Sequence, residues 1–299
     1  MKIVSAIAVL LACVFVTAFW THRYGQTSSK ASGSTLASTT STSSTVPTSI
    51  TSQRSQLDNA VSSFLEQRRG TVEIAVQNVI SGATWTFGPQ NPQDEASVVK
   101  VNILATLLAT SASTGEPLSV FDRSLAQEMI EQSDNKSATA LWDAAGGSVG
   151  IGSFDNKIGL SHTTLSPCVV CSSFPWPGWG LSTTTPLDQI ALLKDVFIDG
   201  AILPPSDREY ELKLMESVTP SDRWGVSGGV SVNASVALKN GWLPLDNKDT
   251  DWQINSIGWV HGDGRDYLVA LLSTGNPSKE YGIQTLDTIS TMVWDHFMN

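Results

Sequence analysis

Apolar and polar positions follow regular periods along most of the chain and predict its elements. Apolar residues recur at helical spacing over 56–69, 97–112, 122–145, 187–198, 209–218 and 281–297. Strand-like runs predict a hairpin over 71–87 and later strands over 231–239, 252–260 and 267–273. Consecutive strands with short links favour an α+β fold, in which an antiparallel sheet is flanked by the terminal helices and carries an inserted all-helical subdomain.

The same pattern divides the predicted globular domain, 56–299, into two parts. An α/β part is expected over 56–95 and 222–299, and a helical part over 96–221. Within the helical part, residues 158–185 are rich in Pro, Gly, Trp and Cys and predict a long ordered loop.

The N-terminus predicts a targeting segment over residues 1–26. An uncharged apolar run of 18 residues extends from Ile3 to Trp20, preceded by Lys2. Three outcomes stay open: cleavage after Ala18, retention as a membrane anchor, or lipid attachment at Cys13. The apolar run continues seven residues past Cys13, which disfavours the last of these.

Residues 27–55 predict a disordered stalk, since 19 of these 29 residues are Ser or Thr and cannot bury enough apolar surface to order the segment. A targeting segment followed by a stalk predicts an extracytoplasmic domain, secreted or anchored to the membrane. In such a compartment Cys168 and Cys171 are expected to form a local disulfide. A redox or metal C-x-x-C is disfavoured, because no second pair exists.

Composition excludes several classes of function. The chain has 18 Lys and Arg against 28 Asp and Glu, a formal charge of −10 and a pI near 4.8, so a nucleic-acid partner is not expected. Three cysteines are too few for a disulfide scaffold or a four-cysteine zinc site. We predict no metal or organic cofactor, a monomer, and membrane contact only through the N-terminal segment.

Three short motifs carry the candidate chemistry. Ser97 and Lys100 form S-x-x-K at the start of an apolar helix, where i and i+3 share a face and an apolar setting favours a neutral amine. Ser133 begins an S-D-N, and Lys239 begins a K-x-G at the end of a β-branched strand. Each motif alone is weak, because the chain also contains unrelated copies; their order and context carry the signal.

On these motifs the sequence resembles the serine β-lactamase and penicillin-binding protein superfamily, and most of all the class A β-lactamases, over about residues 56–299. The resemblance implies that Ser97 is the acylated nucleophile and Lys100 its proton partner. It implies that Ser133 relays a proton to the leaving nitrogen. Lys239 would hold a substrate carboxylate, and an oxyanion hole would come from the backbone N–H groups of Ser97 and Trp242.

The substrate site implied by the resemblance also includes Asn135, Asn240 and Gly241. Asn135 would bind the side-chain amide of a small β-lactam-like or cell-wall peptide substrate. The expected function is therefore an exported serine hydrolase that acts through an acyl-enzyme on β-lactam-like or peptidoglycan-peptide amides.

Three departures from class A enzymes modify this expectation. Only 36 positions separate Ser97 from Ser133, and Asn240 occupies the middle of the K-[T/S]-G motif. Between Asn156 and Leu187 there is no Asp or Glu, although class A enzymes use a Glu in this loop to activate the deacylating water. Slow deacylation is therefore expected, and His162 is disfavoured as a substitute base because a lone histidine in a loop is more often structural or exposed.

Three alternatives stay open. Gly225 to Gly229 match the G-x-S-x-G of α/β-hydrolases around Ser227, but the segment lacks the strand before and the helix after that the motif requires. A non-catalytic cell-wall-binding module on the same fold would explain the missing carboxylate. An efficient β-lactamase that uses another base is the third.

Overall fold

A computed structural model describes residues 48–171, 174–245 and 250–297. The predicted targeting segment, 1–26, and the predicted stalk up to residue 47 lie outside these residues. The described part belongs to one structural unit that extends from Thr45 to Asn299.

The described residues form eight α-helices and seven strands. The helices are α1 (Thr48–Leu65), α2 (Val99–Thr114), α3 (Val120–Glu131), α4 (Asn135–Ala144), α5 (Gly147–Ile158), α6 (Pro186–Lys194), α7 (Pro205–Glu216) and α8 (Lys279–His296). The strands are β1 (Thr71–Asn78), β2 (Thr84–Phe87), β3 (Gln93–Asp94), β4 (Thr183–Thr184), β5 (Ser235–Pro244), β6 (Trp252–Gly262) and β7 (Arg265–Asn276). Short 3-10 turns occupy Ala96–Val98, Gly178–Leu181 and Pro220–Asp222, and a π-helical turn Asp195–Asp199 follows α6.

Five strands form one antiparallel sheet in the order β2-β1-β7-β6-β5. The last strand of the chain, β7, therefore lies between β1 and β6, and β5 is an edge strand. The small pair β3–β4 joins the segment before Ser97 to the segment after the long loop. The α+β fold predicted from the sequence is confirmed.

The core lies between the sheet and helices from both ends and the middle of the chain. Helices α1 and α8 pack on each other, α8 contacts β6 and β7, and α6 contacts β1 and β7. The remaining helices pack around α2, which contacts α3, α4, α5 and α7.

Helix α2 is the centre of the helical part. All of its residues from Val99 to Leu108 are buried, so the helix is enclosed around its whole circumference, and Lys100 and Asn102 are among the buried residues. The run Ala96–Thr114 is the one helix among the described residues that is long and apolar enough to cross a bilayer, and 67% of its most apolar window is buried within the fold. Its hydropathy is explained by this central position.

The helical part departs from the predicted elements in two places. The predicted helix 122–145 is two helices, α3 and α4, because Ser133 has a φ of 56° and Asp134 caps α4 by accepting a hydrogen bond from the Ser137 N–H at 2.7 Å. Helix α5 was not predicted, because its glycines disfavour a helix. The structure shows why one of these glycines is needed: a side chain at Gly150 would collide with the Ala145 carbonyl.

At the N-terminus, α1 begins at Thr48, within the stretch predicted as stalk, rather than at residue 56. Leu57 and Val61 are fully buried and bring this helix against the core. Such packing stabilises a helix whose own Ser and Thr residues have modest helix propensity.

The long loop after α5 is held by the predicted disulfide, since the structure joins Cys168 to Cys171. The Gly178 N–H donates to the Val169 carbonyl at 2.6 Å, and a bridge pairs Val170 with Pro177. A Cβ at Gly178 would overlap the Cys171 sulfur, so glycine is required there for the loop to fold back on the disulfide.

Candidate active site

A cleft of about 370 Å³ opens where the helical part, the long loop and the sheet edge meet. Its polar wall is formed by Ser97, Ser133 and Asn135. The other lining residues are small or apolar: Ala96, Trp176, Pro177, Trp179, Gly180, Trp242 and Leu243. Three sequence motifs that are far apart along the chain therefore reach one crevice.

Ser97 lies in the 3-10 turn that leads directly into α2. Ala96 before it has a φ of 50°, an unusual conformation for a residue with a side chain. The segment is held from the sheet, because Asn255 Nδ2 donates to the carbonyls of Asp94 and Glu95 at 2.8 and 3.0 Å. These contacts hold the backbone just before Ser97 against the sheet.

Gly241 of β5 lies against this turn. A Cβ built on Gly241 would be 2.8 Å from the Ser97 backbone nitrogen and 3.0 Å from that of Val98. The edge strand can approach the Ser97 turn this closely only because residue 241 has no side chain. Trp242, whose backbone N–H is the second predicted oxyanion donor, follows directly and lines the cleft.

Lys100 is fully buried one turn after Ser97. Its Nζ donates to the Ser133 carbonyl at 2.6 Å, to Asn135 Oδ1 at 2.8 Å and to Ser133 Oγ at 3.1 Å. Burial, with a smaller contribution from the charge on Lys239, lowers the pKa of Lys100 well below its usual range, against the opposing effect of Asp134. A buried lysine with a lowered pKa has the property that a general base requires.

Ser133 joins the two lysines. Its Oγ accepts a hydrogen bond from Lys239 Nζ at 3.0 Å as well as the one from Lys100. When Lys100 is neutral, the hydroxyl proton of Ser133 can instead point toward the lone pair on Lys100 Nζ. Ser133 is then placed to pass a proton between an amine and a group bound in the cleft.

Lys239 is buried on β5, and its Nζ also donates to the Asn240 carbonyl at 2.9 Å. Burial lowers its pKa to about 7, and the nearby Asp222 carboxylate opposes this shift. The fraction of Lys239 that carries a charge therefore changes strongly around neutral pH.

The other predicted binding residues are placed differently from one another. Asn135 lines the cleft and holds Lys100 through its Oδ1. The Asn240 side chain is buried, and its Nδ2 donates to the carbonyls of Asp222 and Trp224 at 2.7 and 3.0 Å. Asn240 thus fastens β5 to the segment before it, and it is absent from the residues that line the described cleft.

No hydrogen bond joins Ser97 Oγ to Lys100 or Lys239 among the described residues. Ser97 is half-buried and lines the same cleft as Ser133. Catalytic hydrogen bonds are often long or absent before a substrate is bound.

The long loop brings Trp179 to Lys100. The ring centre of Trp179 lies 5.1 Å from Lys100 Nζ, and its Nε1 donates to Thr139 Oγ1 at 3.0 Å. The sequence carries no sign of this contact, because the two residues are 79 positions apart. In this loop an indole, rather than a carboxylate, contacts the amine.

The nearest carboxyl group along the sequence, Glu95, is fully buried and does not line the cleft. Burial, together with the charges of Asp155 and Asp188, raises the pKa of Glu95 well above its usual range. Because Glu95 does not line the cleft, we do not assign it the role of the base. Sequence reasoning missed this residue, whose burial depends on distant elements.

The remaining candidates lie away from the cleft. His162 is exposed and shares a 3.0 Å hydrogen bond with Ser161. Ser227 lies in a turn, where its Oγ donates to the Arg223 carbonyl at 2.8 Å, and the neighbouring glycines pack on α8. In the described parts of the chain, no cluster of three or more His, Cys, Asp or Glu residues could hold a metal ion.

Comparison with known proteins gives one family match and several similar proteins. Residues 114–297 match the model of the "Beta-lactamase enzyme family". Proteins named "Putative lipoprotein LppW" from Mycobacterium bovis and Mycobacterium tuberculosis are each 27% identical over 211 residues. These alignments cover 68% of this chain and 63% of the relatives, so the chain matches less than two thirds of their length.

Solved structures of class A β-lactamases share the fold. TLA-1 extended-spectrum β-lactamase superposes with a TM-score of 0.71 at 16% identity, over 83% of this chain and 100% of that one. A class A β-lactamase from Bacteroides cellulosilyticus gives a TM-score of 0.70 at 15% identity, over 82% of this chain and 98% of that one. At these identities the likeness concerns the fold alone.

Proposed function

The chain belongs to the beta-lactamase enzyme family, and from this premise we propose that it is an exported serine hydrolase that forms an acyl-enzyme at Ser97. Its substrates are β-lactam-like or peptidoglycan-peptide amides. One observation carries the proposal: Ser133 Oγ accepts hydrogen bonds from both Lys100 and Lys239 in the cleft that Ser97 lines. A binding module has no need for two buried amines on one hydroxyl.

Acylation begins when Ser97 Oγ attacks the carbonyl carbon of the substrate amide. The hydroxyl proton passes to the neutral amine of Lys100, directly or through a water molecule. The backbone N–H groups of Ser97 and Trp242 receive the developing negative charge on the carbonyl oxygen, and each such donor contributes about 10²–10³ in rate.

The leaving nitrogen then needs a proton before the carbon–nitrogen bond breaks. Ser133 supplies its hydroxyl proton to that nitrogen and regains one from Lys100, which restores the neutral amine. Lys239 beside Ser133 holds a carboxylate of the substrate and stabilises the oxygen of Ser133 while it donates.

Deacylation is slow in this proposal. Water must be activated to attack the Ser97 ester, and the loop that closes the cleft has no Asp or Glu between Asn156 and Leu187. Glu95 is buried with a raised pKa, and neither Glu95 nor His162 lines the cleft. The buried amine of Lys100 is therefore the base that we propose for deacylation.

The proposed location is outside the cytoplasm. The apolar run from Ile3 to Trp20 and the Ser/Thr-rich segment after it support export, as does the name of the mycobacterial relatives, which describes lipoproteins. Mass spectrometry of the protein from the producing cell separates the three N-terminal outcomes. A chain that begins at residue 19, an intact Met1 and a lipid-modified Cys13 each have a different mass.

Labelling with a fluorescent penicillin tests the activity. The purified domain is expected to carry the label on Ser97, Ser97→Ala is expected to carry none, and the adduct is expected to persist through removal of free label. Ser227→Ala is the matched control and should label like the wild type. Labelling that depends on Ser227 and not on Ser97 would reject the proposed nucleophile, and rapid multiple turnover would reject slow deacylation.

A further inference from the structure

We propose that Trp179 is a positioning residue that keeps water away from Lys100 and thereby prolongs the life of the acyl-enzyme. This inference rests on the proposed function, because it concerns an ester formed on Ser97. It goes further because it names the side chain that controls how fast this ester is hydrolysed.

The position of the indole is fixed by contacts at both ends of the side chain. Trp179 is 2% exposed, and its Nε1 donates to Thr139 Oγ1 on α4 at 3.0 Å. Its backbone carbonyl accepts from the Ser182 N–H at 3.1 Å and from Ser182 Oγ at 2.8 Å. A ring held in this way cannot swing aside easily to admit solvent.

The disulfide supports the same placement from the other side of the loop. Gly178, next to Trp179, packs on the Cys168–Cys171 bridge without room for a side chain. The Gly180 N–H donates to the Pro177 carbonyl at 3.1 Å, which closes a tight turn around the tryptophan. The loop is therefore built to present this ring to the cleft.

The amine is enclosed by protein groups in the described structure. All three polar contacts of Lys100 Nζ are to Ser133 and Asn135, and the Trp179 ring lies 5.1 Å away. Hydrolysis needs a water whose oxygen adds to the ester carbon while one of its protons passes to Lys100. The bond from that carbon to Ser97 Oγ then breaks, and Oγ takes the proton back from Lys100. Deacylation therefore requires a water molecule beside Lys100 Nζ, whereas acylation can proceed without one.

Two effects of the ring on Lys100 act in opposite directions. A ring face within about 6 Å of an ammonium stabilises the charged form. Exclusion of water destabilises the charged form, and burial is the largest cause of the lowered pKa of Lys100. Removal of the ring ends both effects and admits water to an amine whose pKa is lowered mainly by burial, so we expect that pKa to rise.

The experiment compares Trp179→Ala and Trp179→Leu with the wild type and with Trp176→Ala. Trp176 is the matched control, since it is a tryptophan of the same loop that lines the same cleft but is 36% exposed and makes no ring contact with Lys100 in the described structure. Each protein is acylated with a fluorescent penicillin and freed of excess label. The loss of the Ser97 adduct is then followed by mass spectrometry, and the acylation rate is measured between pH 6 and 10.

Above the midpoint of the acylation pH profile, where Lys100 is neutral in every variant, we expect the adduct of Trp179→Ala to decay about tenfold faster or more, as general-base access to water is worth that much or more. The midpoint of its acylation pH profile should shift upward by about one unit. Trp179→Leu, a smaller opening of the same site, should decay about threefold faster and serves alone if the Ala variant does not fold. Trp176→Ala opens the cleft at a ring that makes no contact with Lys100, so its adduct should decay more slowly than the adduct of Trp179→Ala.

If the adducts of both Trp179 variants decay at the wild-type rate, the inference is overturned. The proposed function then remains intact, because the adduct has formed. Equal acceleration in Trp176→Ala would also overturn it, since a general opening of the loop would then explain the effect. A wild-type protein that is never labelled at Ser97 would reject the proposed function, and this inference with it.

Discussion

A single methyl group at position 241 should disable acylation while leaving the chain folded. In Gly241→Ala the new Cβ would lie 2.8 Å from the Ser97 nitrogen, whereas ordinary contact begins at 3.4 Å. The edge strand and the nucleophile turn must separate by about 0.6 Å, because the atoms in contact belong to the backbone and no side chain can give way. The two oxyanion donors, on Ser97 and Trp242, lie on opposite sides of this contact.

A misplacement of about 1 Å at a reacting centre costs about 10²-fold in rate, so a separation of 0.6 Å predicts a loss of about 10- to 100-fold in the acylation rate. The rate is measured with fluorescent penicillin in stopped flow, alongside thermal unfolding. Gly152→Ala is the control, because Gly152 lies in α5 with no atom within 4 Å of an added Cβ. Acylation of Gly241→Ala within twofold of the wild type would refute the reasoning about the oxyanion donors.

Three further outcomes are expected from the same structure. The acylation rate should rise with pH as Lys100 loses its proton. The affinity for carboxylate-bearing β-lactams should fall as pH rises past the pKa of Lys239, which is about 7, because the neutral amine no longer attracts the carboxylate. Rates and affinities that do not change between pH 6 and 9 would contradict both assignments. Replacing Cys168 and Cys171 together by Ser should lower the free energy of unfolding by about 2 kcal/mol and Tm by about 5 °C, which calorimetry measures. An unchanged Tm would show that the disulfide does not stabilise the fold. Glu211 is fully buried, its carboxyl oxygens have no hydrogen-bond partner in the described structure, and burial raises its pKa well above its usual range. Above about pH 4.5 the unfolded chain releases a proton from Glu211 that the folded chain keeps, so the stability of the fold decreases as pH rises. Glu211→Gln should remove this loss and raise Tm more at pH 8 than at pH 4.5.

Much of the fold was predictable, because an element that buries one face has apolar residues at a regular spacing in the sequence. The apolar run that became α2 and the strands β6 and β7 were recognisable from such patterns. The disulfide was predictable from spacing and compartment. The order β2-β1-β7-β6-β5 was not, because pairing between β1 and β7 depends on contacts between the two ends of the domain.

The candidate site was predictable only in its polar members. Ser97, Lys100 and Ser133 belong to motifs with fixed spacing, and the structure brings all three together. Asn240 was expected in the substrate site, but its amide binds the carbonyls of Asp222 and Trp224, a choice that depends on how the chain before β5 folds back. The contact of Trp179 with Lys100 has no local signal, because a tryptophan in a Pro- and Gly-rich loop can pack in many ways.

The central position of β7 in the sheet also has a consequence for biosynthesis. The N-terminal hairpin β1–β2 cannot pair with β7 until residues 265–276 have been made, because these residues form the strand between β1 and β6. Until then the edge of β1 that faces β7 has no partner strand, and the five-stranded sheet stays incomplete.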